Sequence, residues 1–140
     1  MTRQRPSALR LAVHAGTGVF ALALGLLPAP WHVVAAVGGV VLGLVVFPLT
    51  GLDAKLRRPG EGWWNGVKTY PLAVLGLVLL LPRPLAAAAW GVLALGDAAA
   101  GWVGSRVPSP ALFGHPKGTW SGTLAHVLVG GLAAWGLQAG

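Results

Sequence analysis

Five long apolar runs, broken only by short connections, limit what this chain can fold into. They cover approximately residues 9–27, 31–50, 62–82, 85–106 and 120–138. A bilayer core about 30 Å thick takes roughly 20 apolar helical residues to cross, and each run is close to that length. The runs are apolar in blocks, not on one helical face only, as expected for helices with apolar surroundings on every side. Pro and Gly fall where turns are needed: Pro28 and Pro30, Pro59 and Gly60, Pro82 and Pro84, Pro108 and Pro110. The fold class expected is therefore all-α, a multi-pass integral membrane protein whose residues 1–140 form a single membrane domain. Composition points the same way. The chain is 55% hydrophobic and 9% charged, against about 25% charged in soluble domains. The opening "MTRQRPSALR" has the basic character of a signal-peptide n-region. His14, Gly16 and Gly18 interrupt the run behind it and a second run follows almost at once, so it is read as a span.

There is no cysteine, which excludes disulfides, thiolate metal sites and cysteine nucleophiles. The net charge of +7 could suggest nucleic acid, but the basic residues lie between the apolar runs and orient them in a membrane instead. Arg3, Arg5, Arg10, Lys55, Arg57, Arg58, Lys68, Arg106 and Lys117 fall on one side, and Arg83 alone on the other. By the positive-inside rule the N-terminus and the connections 51–61 and 107–119 are cytoplasmic. The localisation expected is a bacterial-type plasma membrane, with no nucleic-acid partner.

Ionisable residues inside such runs are functional candidates, because lipid offers them no partner. Asp97 is one of only three acidic residues and sits in "LALGDAAAGWVGSRV". Leu93, Ala94, Ala100, Gly101 and Gly104 share its helical face, and four of those five are Ala or Gly. Small residues permit close helix packing, and they also leave room beside the carboxylate for a metal ion or phosphate. Glu61, Asn65 and Lys68 follow i, i+4, i+7 spacing with Thr69 alongside, and are expected to form one polar stripe. Trp63 and Trp64 beside them suit an aromatic belt. His14 lies one turn after Arg10, and His126 one turn after Gly122, where it would border the same cavity as Asp97.

The connection "PSPALFGHPKGTWSGTLAH" leads into the fifth run, with Thr119 as expected N-cap and Gly118 leaving backbone amides open. A helix N-terminus with free amides beside Lys117 is a phosphate site in physical terms. A carboxylate for Mg²⁺ and a cationic nest for phosphates are the two halves of a nucleoside triphosphate site.

"LALGDAAAGWVG" followed by "KGTWSGTLA" resembles the paired signature of the polyprenol kinase group, which includes dolichol kinase, phytol kinase and the CTP-dependent diacylglycerol kinases. Gly96, Asp97, Ala100 and Gly104 match its first part, and Lys117, Thr119, Gly122 and Thr123 its second. Arg10 and His14 resemble the group's basic entry into the first span, and "GEGWWNGVKTY" its segment before the third. The resemblance implies a lipid-alcohol kinase transferring a phosphoryl group from CTP, or another nucleoside triphosphate, to an isoprenoid alcohol or diacylglycerol. It implies Asp97 as the Mg²⁺ ligand, with Glu61 or Asp53 as a second carboxylate. Lys117, helped by Lys68, would neutralise the phosphoryl group. Gly96, Gly104, Gly118, Thr119, Gly122 and Thr123 would border the nucleotide. The general base is left open among Asp97, Glu61 and His14. The sequence departs from the pattern at Gly118, where the group has a second basic residue, and at Leu11, where it has lysine. The group has six or more spans against five here, so a second copy of the chain would complete the bundle. The alternatives are a non-catalytic relative or small membrane assembly protein, a phosphatidate cytidylyltransferase-like enzyme, and a small transporter with Asp97 as its ion site.

Overall fold

The computed structural model describes residues 8–24, 27–57, 60–114 and 118–138, and these are helical with no strand among them. Helix α1 is Ala8–Leu24. Helix α2 runs Trp31–Leu49 and contains a π turn at Leu42–Val46. A short helix α3, Leu52–Leu56, follows the left-handed Gly51. Helix α4 is Gly66–Leu80. Helix α5, Arg83–Arg106, has a second π turn at Val92–Gly96, and α6 is Trp120–Gln138. The five long helices fall on the five apolar runs. Two of them, α2 and α5, are long and apolar enough to cross a membrane, while α1 and α4 are apolar but shorter.

The expected stripe in the third run has a different local structure. Gly60 takes a positive φ of 83°, and Asn65 caps α4 by accepting from the Val67 amide at 2.9 Å. Of Glu61, Asn65 and Lys68, only Lys68 is therefore within the helix. Glycine on either side of the tryptophans and a good N-cap residue at Asn65 delay the helix start.

Helix α5 is the centre of the bundle, with α6 along one side and α1 and α4 on others, and α2 packs on α4. Small residues set these approaches. An added Cβ at Gly104 would lie 2.7 Å from Thr119 Oγ1, and one at Gly122 would lie 3.0 Å from the Ala100 carbonyl. Gly96 backs onto the His126 ring and Gly130 in the same way. Pro71 inside α4 has no amide to give the Val67 carbonyl. Gly43, in the first π turn, backs onto that oxygen, and a Cβ there would lie 2.9 Å from it.

Among the described residues, seven of the twelve buried hydrophobic residues are alanine, and the largest fully buried side chains are Lys68, Leu24 and Asp53. Large apolar side chains such as Phe20, Leu80, Leu132 and Trp135 face outward. The α5–α6 seam yields a direct expectation. Gly122→Ala, pressed against a backbone carbonyl that cannot rotate away, should destabilise the protein by about 1–3 kcal/mol. Gly131→Ala, with open space at its Cβ, should be neutral or stabilising, since alanine favours helix by up to ~1 kcal/mol. Melting curves of the two variants in detergent check this, and equal melting points would refute the seam.

Candidate functional site

Asp97 begins the regular helix directly after the π turn Val92–Gly96, a distortion frequent at functional sites. Its side chain is about half exposed and lies between two imidazoles from different helices. His126 of α6 places Nδ1 3.0 Å from Asp97 Oδ1. His14 of α1 places Nε2 3.8 Å from Oδ2, while the same nitrogen is 2.9 Å from the Leu93 carbonyl within the π turn. These contacts fix where the protons sit. A carbonyl only accepts, so His14 donates from Nε2. An ionised Asp97 also only accepts, so His126 donates from Nδ1 and keeps Nε2 for other work.

A directional chain of hydrogen bonds holds the His14 side of the site. Trp90 Nε1 donates to the Tyr70 hydroxyl at 2.9 Å. The Thr17 hydroxyl donates to the His14 carbonyl at 2.6 Å, so its single proton is used. Tyr70 must then donate to Thr17 Oγ1, 2.8 Å away. The Tyr70 ring also lies 4.6 Å from that of His14. Helices α1, α4 and α5 are tied together here.

Lys68 and Asn65 belong to a second, separate cluster. Lys68 donates from Nζ to Asp53 Oδ2 at 3.1 Å, Asn65 Nδ2 donates to Oδ1 at 3.2 Å, and Arg57 pairs with Oδ2 from one turn away. Lys68 is completely buried and Asp53 nearly so. The Trp63 ring covers the Lys68 ammonium, its centroid 4.1 Å from Nζ. Burial would raise the Asp53 pKa, but hydrogen bonds from Lys68, Arg57 and Asn65 outweigh it and hold the carboxyl below its ordinary range. Lys68 and Tyr70 are two residues apart and so leave α4 on nearly opposite sides. One goes to Asp53, the other to the His14 chain, and α4 separates the two clusters.

The remaining expected residues are placed as follows. Thr119 caps α6 by accepting from the Gly122 amide at 3.1 Å. The Ser121 amide donates to Ser109 Oγ at 3.0 Å, and the Trp120 amide to the Pro110 carbonyl at 3.3 Å. The amides of Trp120, Ser121, Gly122 and Thr123 in the first turn of α6 are thus bonded within the protein. Thr123 donates its hydroxyl to the Thr119 carbonyl, and the Gly118 carbonyl accepts from the Leu112 amide. Gly96, Gly104 and Gly122 lie at the α5–α6 seam, so at these positions the expected open space is filled by the facing helix. Glu61 lies before α4, is partly buried and is engaged in an interaction of its own. Lys117 lies outside the described residues.

Among the described residues no group of three or more His, Cys, Asp or Glu is arranged to hold a metal ion. Asp97 fits Mg²⁺ as one carboxylate ligand whose companions are phosphate and water oxygens, the usual manner for this ion. Asp53, shared by two cations, does not fit it. The signal in the sequence for the His126–Asp97 contact was helical spacing, which puts His126 one turn past Gly122. No family model matches the chain, and no curated protein or solved structure similar to it is found.

The Asp53 cluster carries its own expectation. Asp53→Asn leaves Lys68 buried without its counter-charge and should cost roughly 3–5 kcal/mol near neutral pH. Because the folded carboxyl titrates below its unfolded value of about 3.9, its contribution is complete above that pH. It should be lost as pH falls through the lower folded value. Melting of the two proteins across pH should therefore show a gap that closes only in acid. A gap that is constant with pH would show that the charge is not what stabilises.

Proposed function

We propose that this protein is a membrane-embedded phosphotransferase. It moves a phosphoryl group from a nucleoside triphosphate, CTP by the sequence resemblance, to a lipid alcohol. The membrane reading is supported by the outward-facing Phe, Leu, Val and Trp side chains around an alanine-rich interior. Water would make such a surface costly, and hydrocarbon would not. The five long helices are then five spans with the N-terminus cytoplasmic. Asp97 lies on the half of α5 that leads to the cytoplasmic connection 107–119.

The observation that carries the activity is the carboxylate–imidazole pair, Asp97 with His126. Asp97 Oδ1 receives the Nδ1 proton and so fixes the tautomer and orientation of the ring. In the neutral imidazole Nε2 is then the free acceptor, the arrangement of a general base held by a carboxylate. In the transfer, the alcohol oxygen bonds to the terminal phosphorus, its proton passes to His126 Nε2, and the nucleoside diphosphate leaves with the electrons of the broken P–O bond. His126 is thus a better-placed base than His14, whose Nε2 proton is held by the Leu93 carbonyl. Asp97 would hold Mg²⁺, which would supply charge neutralisation on the phosphates. Lys117 is the cation assigned to the phosphates by the resemblance. Lys68, committed to Asp53, acts only by holding the start of α4.

A second reading is a non-catalytic packing protein. It is favoured by the internally bonded first turn of α6 and the filled glycine seam. Two variants separate the readings. Asp97→Asn keeps the shape of the side chain, so on the enzymatic reading it leaves the melting point of the ligand-free protein unchanged or raised. It abolishes stabilisation by Mg²⁺–CTP and transfer of labelled phosphate to phytol, farnesol, undecaprenol or diacylglycerol. His126→Gln should lower transfer about 10²–10⁴-fold, the usual worth of a general base, while Mg²⁺–CTP still stabilises. An Asp97→Asn protein that melts markedly lower yet still responds to Mg²⁺–CTP would make Asp97 structural and end the proposal.

A further inference from the structure

The Asp53 cluster lies where α2 ends and α4 begins, and the proposed phosphotransfer makes no use of its charge. We propose that Arg57, beside Trp63 and Trp64, forms a site for the phosphate headgroup of an anionic phospholipid of the cytoplasmic leaflet. This rests on the membrane reading given above.

Charge is the first reason. One carboxylate, Asp53, faces two cations, Lys68 and Arg57, so the cluster keeps an excess positive charge. Asn65 adds a neutral donor. The second reason is access. Arg57 reaches Asp53 through one terminal nitrogen, and its side chain is 32% exposed, so an acceptor can approach the guanidinium from outside. A guanidinium with free donors is well matched to a phosphate, which offers several oxygens at once. Lys55, exposed on the same short helix but two residues from both Asp53 and Arg57, leaves it on the other side and serves as a comparison.

The rim decides between a lipid and a free anion. Trp63 and Trp64 are 61% and 65% exposed, and Leu49 at the end of α2 is 82% exposed. Trp63 is also held in place by its contact with the Lys68 ammonium. Free phosphate would make no use of this apolar rim. A phospholipid would place its acyl chains along it and its phosphate on Arg57, with tryptophan at the headgroup level as is usual at membrane interfaces. Basic residues at that depth attract anionic lipid in preference to zwitterionic lipid.

The test uses the full chain in nanodiscs of phosphatidylcholine with increasing phosphatidylglycerol, read as the melting temperature. Phosphatidylglycerol should raise melting above that in phosphatidylcholine alone, and inorganic phosphate should not. Arg57→Gln should shift the phosphatidylglycerol midpoint upward about fivefold, the effect of one basic residue near an anionic leaflet. Lys55→Gln, on the other side of the short helix, should shift it less than Arg57→Gln does, while the melting point in phosphatidylcholine stays as in the wild type. Equal melting in both lipids, full retention of the response in Arg57→Gln, a shift as large in Lys55→Gln, or the same rise with inorganic phosphate would overturn the proposal. Failure to enter nanodiscs of either lipid would instead overturn the membrane reading itself.

Discussion

The approach of α5 to α6 is the constraint on which the rest depends. Gly96, Gly104, Gly122 and Gly130 let the two helices meet closely, and at Gly104 and Gly122 a methyl group would press on a hydroxyl or a backbone carbonyl. A seam that tight fixes the helix register as well as the distance. Register is what sets His126 against Asp97 and Thr119 against Gly104. Any sliding of one helix along the other would separate the imidazole from the carboxylate and loosen the cap of α6 together.

Around that seam the carboxylates of Asp97 and Asp53 lie in two separate clusters. Asp97 is half exposed between imidazoles, whereas Asp53 is buried and shared by Arg57, Lys68 and Asn65. The physical difference suits different tasks. A carboxylate saturated by two cations has little to offer a ligand and much to offer stability. One with a single strong donor and an open side can still bind or move a proton. Helix α4 keeps the two apart because Lys68 and Tyr70 leave it in nearly opposite directions. The Trp90–Tyr70–Thr17–His14 chain then makes α4 a support for the first site and a participant in the second.

The helices were legible in the sequence because twenty-residue apolar runs with Pro and Gly between them allow little else. The five long helices begin and end close to the runs. The start of α4 was misjudged, since i, i+4, i+7 spacing presumes a helix that Gly60, Gly62 and the Asn65 cap do not permit. The importance of Asp97 was legible from scarcity alone, as one of three acids set among apolar residues. Small residues on its face were also legible, but spacing could not say whether they left a cavity or received another helix. The structure gives Gly96 and Gly104 to the helix.

What the sequence by itself determined is the number and place of the long helices and the need for some partner at Asp97. Local pattern suffices for these because each depends on residues near one another in the chain. Only the tertiary structure decided which partner each charge takes. His126 reaches Asp97, and Lys68 reaches Asp53 instead of a shared site with Asp97, because helix packing and register bring together residues that are far apart in sequence. No spacing within one helix encodes the direction in which its neighbour presents a side chain.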